Sequence, residues 1–118
     1  MSTPSGGSLF ADLPTRLPDE RFDELLAGGR FRLLRIVSTG QATPPGQWYD
    51  QAENEWVVVL QGAAKVLIDG EANARALVPG DWLLLPAHCR HRVEWTVADQ
   101  PTVWLALHAE PQTSEGSP

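Results

Sequence analysis

After Gly28 the chain alternates short apolar runs with turn-forming residues. The runs are RFRLLRIVS, QWYDQ, EWVVVLQG, AAKVLID, ARALVPG, DWLLLP, CRHRVEWTV and TVWLALH, most of them of ordinary strand length, and they predict a mainly β protein. Asp69-Gly70 reads as a tight hairpin turn, because Asp and Gly tolerate the positive φ that a two-residue turn needs. Pro44-Pro45-Gly46, Pro79-Gly80 and Asp99-Gln100-Pro101 mark three further breaks. Ahead of the strands the period changes. Phe22, Leu25 and Leu26 lie three and four residues apart, Asp19 is a candidate N-cap after Pro18, and Gly28-Gly29 is a candidate stop, so one short helix is expected there. Many short strands with a single helix indicate a sandwich or barrel, since a parallel α/β sheet needs a crossover helix between strands.

Strand parity assigns faces. Along CRHRVEW the residues Cys89, His91, Val93 and Trp95 share one side, and Arg90, Arg92 and Glu94 share the other, so a regular strand turns His91 toward the core. Glu55 opens EWVVVLQG on the same side as Val57 and Val59, in a strand whose two faces both look buried. An inward carboxylate and an inward imidazole need partners, because an isolated buried charge costs several kcal/mol. A metal would satisfy both; a carbonyl for His91 and an arginine for Glu55 would also serve. Trp56 and Trp82, two of five tryptophans, fall on or near the opposite face, which implies a second buried layer. The helix can cover part of it, and a homodimer through an outer sheet face is expected to cover the rest.

Composition narrows the function classes. The 118 residues suit one domain: a flexible N-terminus over 1–8, a single domain over 9–110, and a flexible tail over 111–118 that carries no large apolar group. Nine Lys and Arg against 15 Asp and Glu give a net charge of −6, which disfavours nucleic acid and anionic lipid as partners. Arg30, Arg32 and Arg35 are the nearest approach to a basic patch; parity sends Arg32 and Arg35 to opposite sides, as at a solvated strand edge. No apolar run approaches the roughly 20 residues of a membrane helix. The lone Cys89 and an N-terminus without signal-peptide character lead us to expect a cytoplasmic protein.

Gly80, Pro86 and His91 match the second motif of the cupins, G-x5-P-x-G-x2-H-x3-N, with His88 in place of its second glycine and Trp95 in place of its asparagine. Glu55 and Gly62 match the E-x6-G end of the first motif, whereas its H-x-H is absent: Tyr49 and Gln51, or Trp48 and Asp50, occupy those positions according to the spacing. Over roughly Thr43 to His108 the chain thus resembles the cupin superfamily, and in particular small single-domain bacterial members. The resemblance implies an all-β jelly-roll (double-stranded β-helix) barrel and makes Glu55 and His91 the counterparts of metal ligands. It also implies a divalent ion such as Zn, Fe, Mn or Ni, with Gln51 or Asp50 as a further ligand; Gln51 has the parity of Glu55, and Asp50 has the charge. The expected cavity lining is Tyr49, Val57, Val59, Val93, Trp95 and His108, although His108 can equally be an ordinary strand end. Cys89 reads as a packed neighbour of His91, and His88 as a turn substitution at the surface. The cupin fold hosts enzymes and binders alike. Two functions therefore stand: a metal-dependent protein acting on or binding a small polar metabolite, and a sensory or ligand-binding barrel without a functional metal.

Overall fold

The computed structural model describes residues 3–111 and consists of eight strands. In chain order they are β1 (Arg21–Ala27), β2 (Phe31–Ser38), β3 (Asn54–Gln61), β4 (Ala64–Ile68), β5 (Arg75–Leu77), β6 (Trp82–Leu85), β7 (His91–Thr96) and β8 (Thr102–Ala109). Five strands form one sheet in the order β1-β2-β8-β3-β6 and three form a second in the order β5-β4-β7, with every neighbouring pair antiparallel. The inner faces meet in a core that includes Leu34, Ile36, Val57, Val59, Leu83, Leu85, Trp104 and Ala106 from the large sheet and Ala64, Val66 and Leu77 from the small one. Residues 112–118, most of the expected tail, lie outside the described residues.

The predicted N-terminal helix is absent: among the described residues there is no helix, and Arg21–Ala27 is an edge strand paired with β2. The helical period has a strand explanation. The register slips between Glu24 and Leu26, so Leu25 is an extra residue; Asp23 lies opposite Arg35 and Leu26 opposite Leu33, all on the outer face. Phe22 faces the cavity while Leu25 and Leu26 lie on the outer face, so the three-and-four spacing spans both faces of a bulged strand rather than one face of a helix. Arg35 is not solvated as expected. It is 8% exposed, its Nε and Nη2 donate to Asp23 at 3.0 and 2.8 Å, and its Nη1 donates to the carbonyls of Leu9 and Ala11, tying the N-terminal segment across the sheet.

Two further expectations change. QWYDQ is a loop, in which only Tyr49 bridges to His91. Asp69-Gly70 does turn the chain, with Glu71 N–H donating to Ile68 O at 2.9 Å, but only the glycine takes a positive φ, and β5 begins at Arg75 after a longer connection. Its geometry is that of a turn with Gly at the third position rather than of a two-residue hairpin.

Candidate ligand cavity

The sheet register builds the site. Arg32 lies opposite His108, and His108 opposite Glu55, so three inward polar residues from β2, β8 and β3 form one row across the large sheet. The next inward rows, Leu34–Ala106–Val57 and Ile36–Trp104–Val59, are apolar. The polar row therefore borders one end of the core. His91 reaches it from the small sheet, and the loop before β3 is clamped there by two bonds: Tyr49 N–H donates to His91 O at 2.8 Å and His91 N–H to Tyr49 O at 3.1 Å. Together they enclose a cavity of about 160 Å³.

Within it, Glu55 joins two imidazoles. His91 Nε2 lies 3.6 Å from Glu55 Oε1, and His108 Nε2 lies 3.6 Å from Glu55 Oε2, with all three residues less than 9% exposed. His91 Nδ1 is 2.9 Å from Cys89 O. A carbonyl can only accept, so Nδ1 carries the hydrogen and Nε2 of the neutral ring presents a lone pair to the cavity. Burial lowers the affinity of His91 for a proton, but the Glu55 carboxylate and the Cys89 carbonyl outweigh it and hold its pKa above the usual histidine value. Tyr49 stacks on His91 with ring centroids 5.5 Å apart and planes at 23°. Gln51 Oε1 and His108 Nδ1 are buried without a hydrogen-bond partner. Arg32 is engaged by Glu53 at 2.8 Å, and that guanidinium lowers the Glu53 pKa.

Glu55, His91, Gln51, Tyr49, Val57, Val93 and His108 all line the cavity. Asp50, Val59 and Trp95 do not. Asp50 points outward, with its Oδ1 2.8 Å from His88 Nδ1 in an exposed pair. Val59 is 0% exposed, on the inner face but part of the closed core. Trp95 is displaced by a second bulge: Lys65 pairs with Trp95 and Val66 with Val93, so Glu94 is the extra residue and parity reverses after it. Trp95 is consequently 42% exposed, with Lys65 Nζ 5.5 Å from its ring, and Thr96 is buried instead. Cys89 packs against the core and supplies its carbonyl to His91. Sequence reasoning missed Glu20, Phe22 and Arg32 as well as the apolar Leu34, Ile36, Val66, Leu85 and Trp104. The alternation of Glu20 and Phe22 was available as a signal, but only if their segment was read as a strand.

A family model described as a cupin domain matches residues 34–108. The chain belongs to the cupin family. Among solved structures, this cupin is 51% identical to a protein of Ralstonia eutropha JMP134 whose name proposes a mannose-6-phosphate isomerase; the match covers 92% of this chain and all (100%) of that one, with a TM-score of 0.90. A cupin superfamily protein of Desulfitobacterium hafniense DCB-2 shares the fold at 18% identity and a TM-score of 0.73, over 92% of this chain and 94% of its own. A Cupin 2 conserved barrel domain protein of Salinispora arenicola CNS-205 does so at 20% and 0.66, over 93% and 91%. No curated protein matches.

The cupin motif positions have structural reasons here. Gly62 takes φ +88° beside Thr102, and an added Cβ would sit 2.7 Å from the Thr102 Cα. His88, at the second motif's glycine, takes φ +63°. Of the two spacings open for the missing H-x-H, Tyr49 and Gln51 line the cavity, whereas Trp48 and Asp50 do not.

Proposed function

We propose that this cupin binds a divalent metal ion through Glu55 and His91, with the Gln51 amide oxygen as a third donor, and acts on a small polar metabolite in the cavity. The carrying observation is the bare His91 Nε2 at 3.6 Å from Glu55 Oε1, with the orphaned Gln51 Oε1 in the same cavity. Two ligands around tetrahedral zinc lie roughly 3.3 Å apart for bond lengths near 2.05 Å. The pair therefore fits after closing by a few tenths of an ångström. His108, on the other carboxylate oxygen, orients Glu55 or joins the ligand set. The fit is partial: among the described residues, no three or more His, Cys, Asp or Glu side chains are gathered as a preformed metal cage.

A bound ion would supply Lewis acidity toward a ligand oxygen. The chain's own residues supply the rest. Glu55 accepts a proton or a ligand hydroxyl, Tyr49 and Phe22 offer faces to the carbon skeleton, and the apolar rows beneath exclude water. The name of the Ralstonia relative makes mannose 6-phosphate a substrate to assay; its phosphate would have to lie outside the cavity, whose single arginine is bonded to Glu53.

The second reading, a metal-free binding barrel, is favoured by the missing cage and by the raised pKa of His91, which suits a protonated imidazole paired with Glu55. Metal analysis of protein purified without chelator or affinity tag decides between them. Near-stoichiometric metal, lost in Glu55→Ala and His91→Ala, is expected; trace metal that neither substitution changes would refute the metal reading.

A further inference from the structure

Another carboxyl lines the same cavity. Glu20, just ahead of β1, does so together with Phe22, Ile36 and Trp104. Its Oε2 accepts from the Ser38 hydroxyl. Ser38 Oγ in turn accepts the Trp104 indole N–H at 3.1 Å in a buried contact, and Ser38 is 0% exposed. The indole nitrogen can only donate, so it takes one lone pair of Ser38 Oγ; among the described contacts the Ser38 hydrogen then has Glu20 Oε2 as its acceptor. A proton held on Oε1 leaves this chain unchanged.

The surroundings favour holding it. Burial raises the Glu20 pKa, and the Ser38 bond only partly opposes the rise. The other titratable groups lining the cavity are Tyr49, Glu55, His91 and His108, and its arginine, Arg32, is bonded to Glu53. Burial first, and then the charges of both Glu20 and Glu55, raise the Tyr49 pKa, so the two carboxylates act on one phenol. With burial favouring the neutral form of Glu20, Glu55 set between two imidazoles and the one arginine engaged by Glu53, the cavity offers no free charge and suits an uncharged ligand. Its volume of about 160 Å³ is close to the ~150 Å³ that accommodates one benzene, which indicates about six non-hydrogen atoms fully enclosed.

We propose that Glu20 is a second polar anchor of the cavity, whose neutral carboxyl donates a hydrogen bond from Oε1 to a carbonyl or hydroxyl oxygen of an uncharged ligand. No covalent bond changes: the proton stays on Oε1 while the ligand is bound, Oε2 keeps its Ser38 donor, and loss of that proton to solvent removes the donor. This rests on reading the cavity as a ligand site, and it does not require the metal.

Two measurements test it. In protein labelled with ¹³C at the glutamate carboxyls, the resonance missing from Glu20→Gln assigns Glu20. Its titration midpoint is expected above the ordinary carboxylate range and higher still in Ser38→Ala, which removes the donor to the ionised form. An ordinary midpoint, or one indifferent to Ser38→Ala, overturns the proposal. If Glu20→Gln does not fold, a resonance displaced in Glu20→Asp makes the assignment.

Dihydroxyacetone, with six non-hydrogen atoms, serves as the ligand probe, and its binding is followed by amide chemical shifts. Affinity is expected to fall about tenfold as Glu20 deprotonates, and to stay flat over that range in Glu20→Gln. Identical pH profiles for the two proteins overturn the proposal. No binding by either overturns both it and the ligand-cavity reading, whereas a failure of metal content alone removes only the metal.

Discussion

Gly62→Ala tests whether the glycine of E-x6-G is held by sterics. Gly62 has φ +88°, and an added Cβ would lie 2.4 Å from Thr102 Oγ1, 2.7 Å from its Cα and 2.9 Å from its Cβ. Rotating the threonine relieves only the first of these clashes, and its hydroxyl is shared with Ala63, accepting from the N–H at 3.4 Å and donating to the carbonyl at 3.3 Å. Clearing the Thr102 backbone requires the β3–β4 turn to move away from the start of β8, where Thr102 is 0% exposed. A non-glycine residue in the left-handed region costs about 1–2 kcal/mol, and overpacking adds about 1–3, so a loss of about 2–5 kcal/mol is expected. Gly46→Ala is the control: its φ is +80° with nothing within 4 Å, so only the conformational cost applies. Urea denaturation of both variants, compared at unchanged m-value, isolates the clash. A Gly62→Ala loss no larger than that of Gly46→Ala would refute the packing argument.

Three further outcomes follow from the structure. Burial opposes ionisation of Asp23, but bonds from Arg35 and Arg21 win and lower its pKa; the stability this supplies is complete above the unfolded-state pKa and is lost as pH falls through the lower folded value. Denaturation curves from about pH 5 down to pH 2 should therefore show a steeper acid loss in the unaltered protein than in Asp23→Asn, and equal slopes would contradict the assignment. His88→Gly relieves a φ of +63° worth about 1–2 kcal/mol and loses only an exposed Asp50 pair worth about 0–1; thermal melting should show equal or higher stability with metal content unchanged, and a clear destabilisation would assign His88 a structural role. We also propose that a second copy covers the outer face of β6, where Trp82 and Leu84 are 57% and 58% exposed and Trp82 lies 6.0 Å from Trp56. Light scattering should give twice 12.9 kDa, reduced to one chain by Trp82→Glu with Leu84→Lys; a single-chain mass before substitution would end that reading.

What the sequence made legible was local. The strand-and-turn rhythm and the inward parity of Glu55 and His91 follow from period-two alternation, and the structure turns both residues inward; the choice between Gln51 and Asp50 was left open by the sequence, because they lie in a loop, where alternation does not apply. Both larger misplacements come from one-residue slips. The slip at Leu25 leaves Phe22 inward and Leu26 outward, which breaks the plain alternation that would have marked β1 as a strand, and an extra residue at Glu94 turns Trp95 out of the cavity. A bulge leaves no obligatory mark in composition, because almost any residue can occupy it once the partner strand dictates the register. Misreading β1 also hid Glu20, whose inward direction depends on its being next to a strand.

The union of Arg32, His108 and Glu55 was illegible for a different reason. They are far apart in sequence and become neighbours only because β8 lies between β2 and β3. No periodicity within one segment contains that order. The same register explains why a charged row is tolerated in so small a barrel. It lines the cavity at one end of the core, where Arg32 bonds Glu53 and the Glu55 carboxylate lies 3.6 Å from the Nε2 of both His91 and His108, and Glu55 favours the protonated form of His91. One row deeper, Leu34, Ala106 and Val57 form an apolar floor. A charge moved to that floor, as in Val57→Glu, would have none of these partners, whereas Glu55 keeps two at the rim. The charged row is thus confined to the end of the barrel at which the sheet order can supply counter-groups, whereas Glu20, beside Ser38 beyond the apolar rows, has only a hydroxyl donor and is driven by burial toward its neutral form.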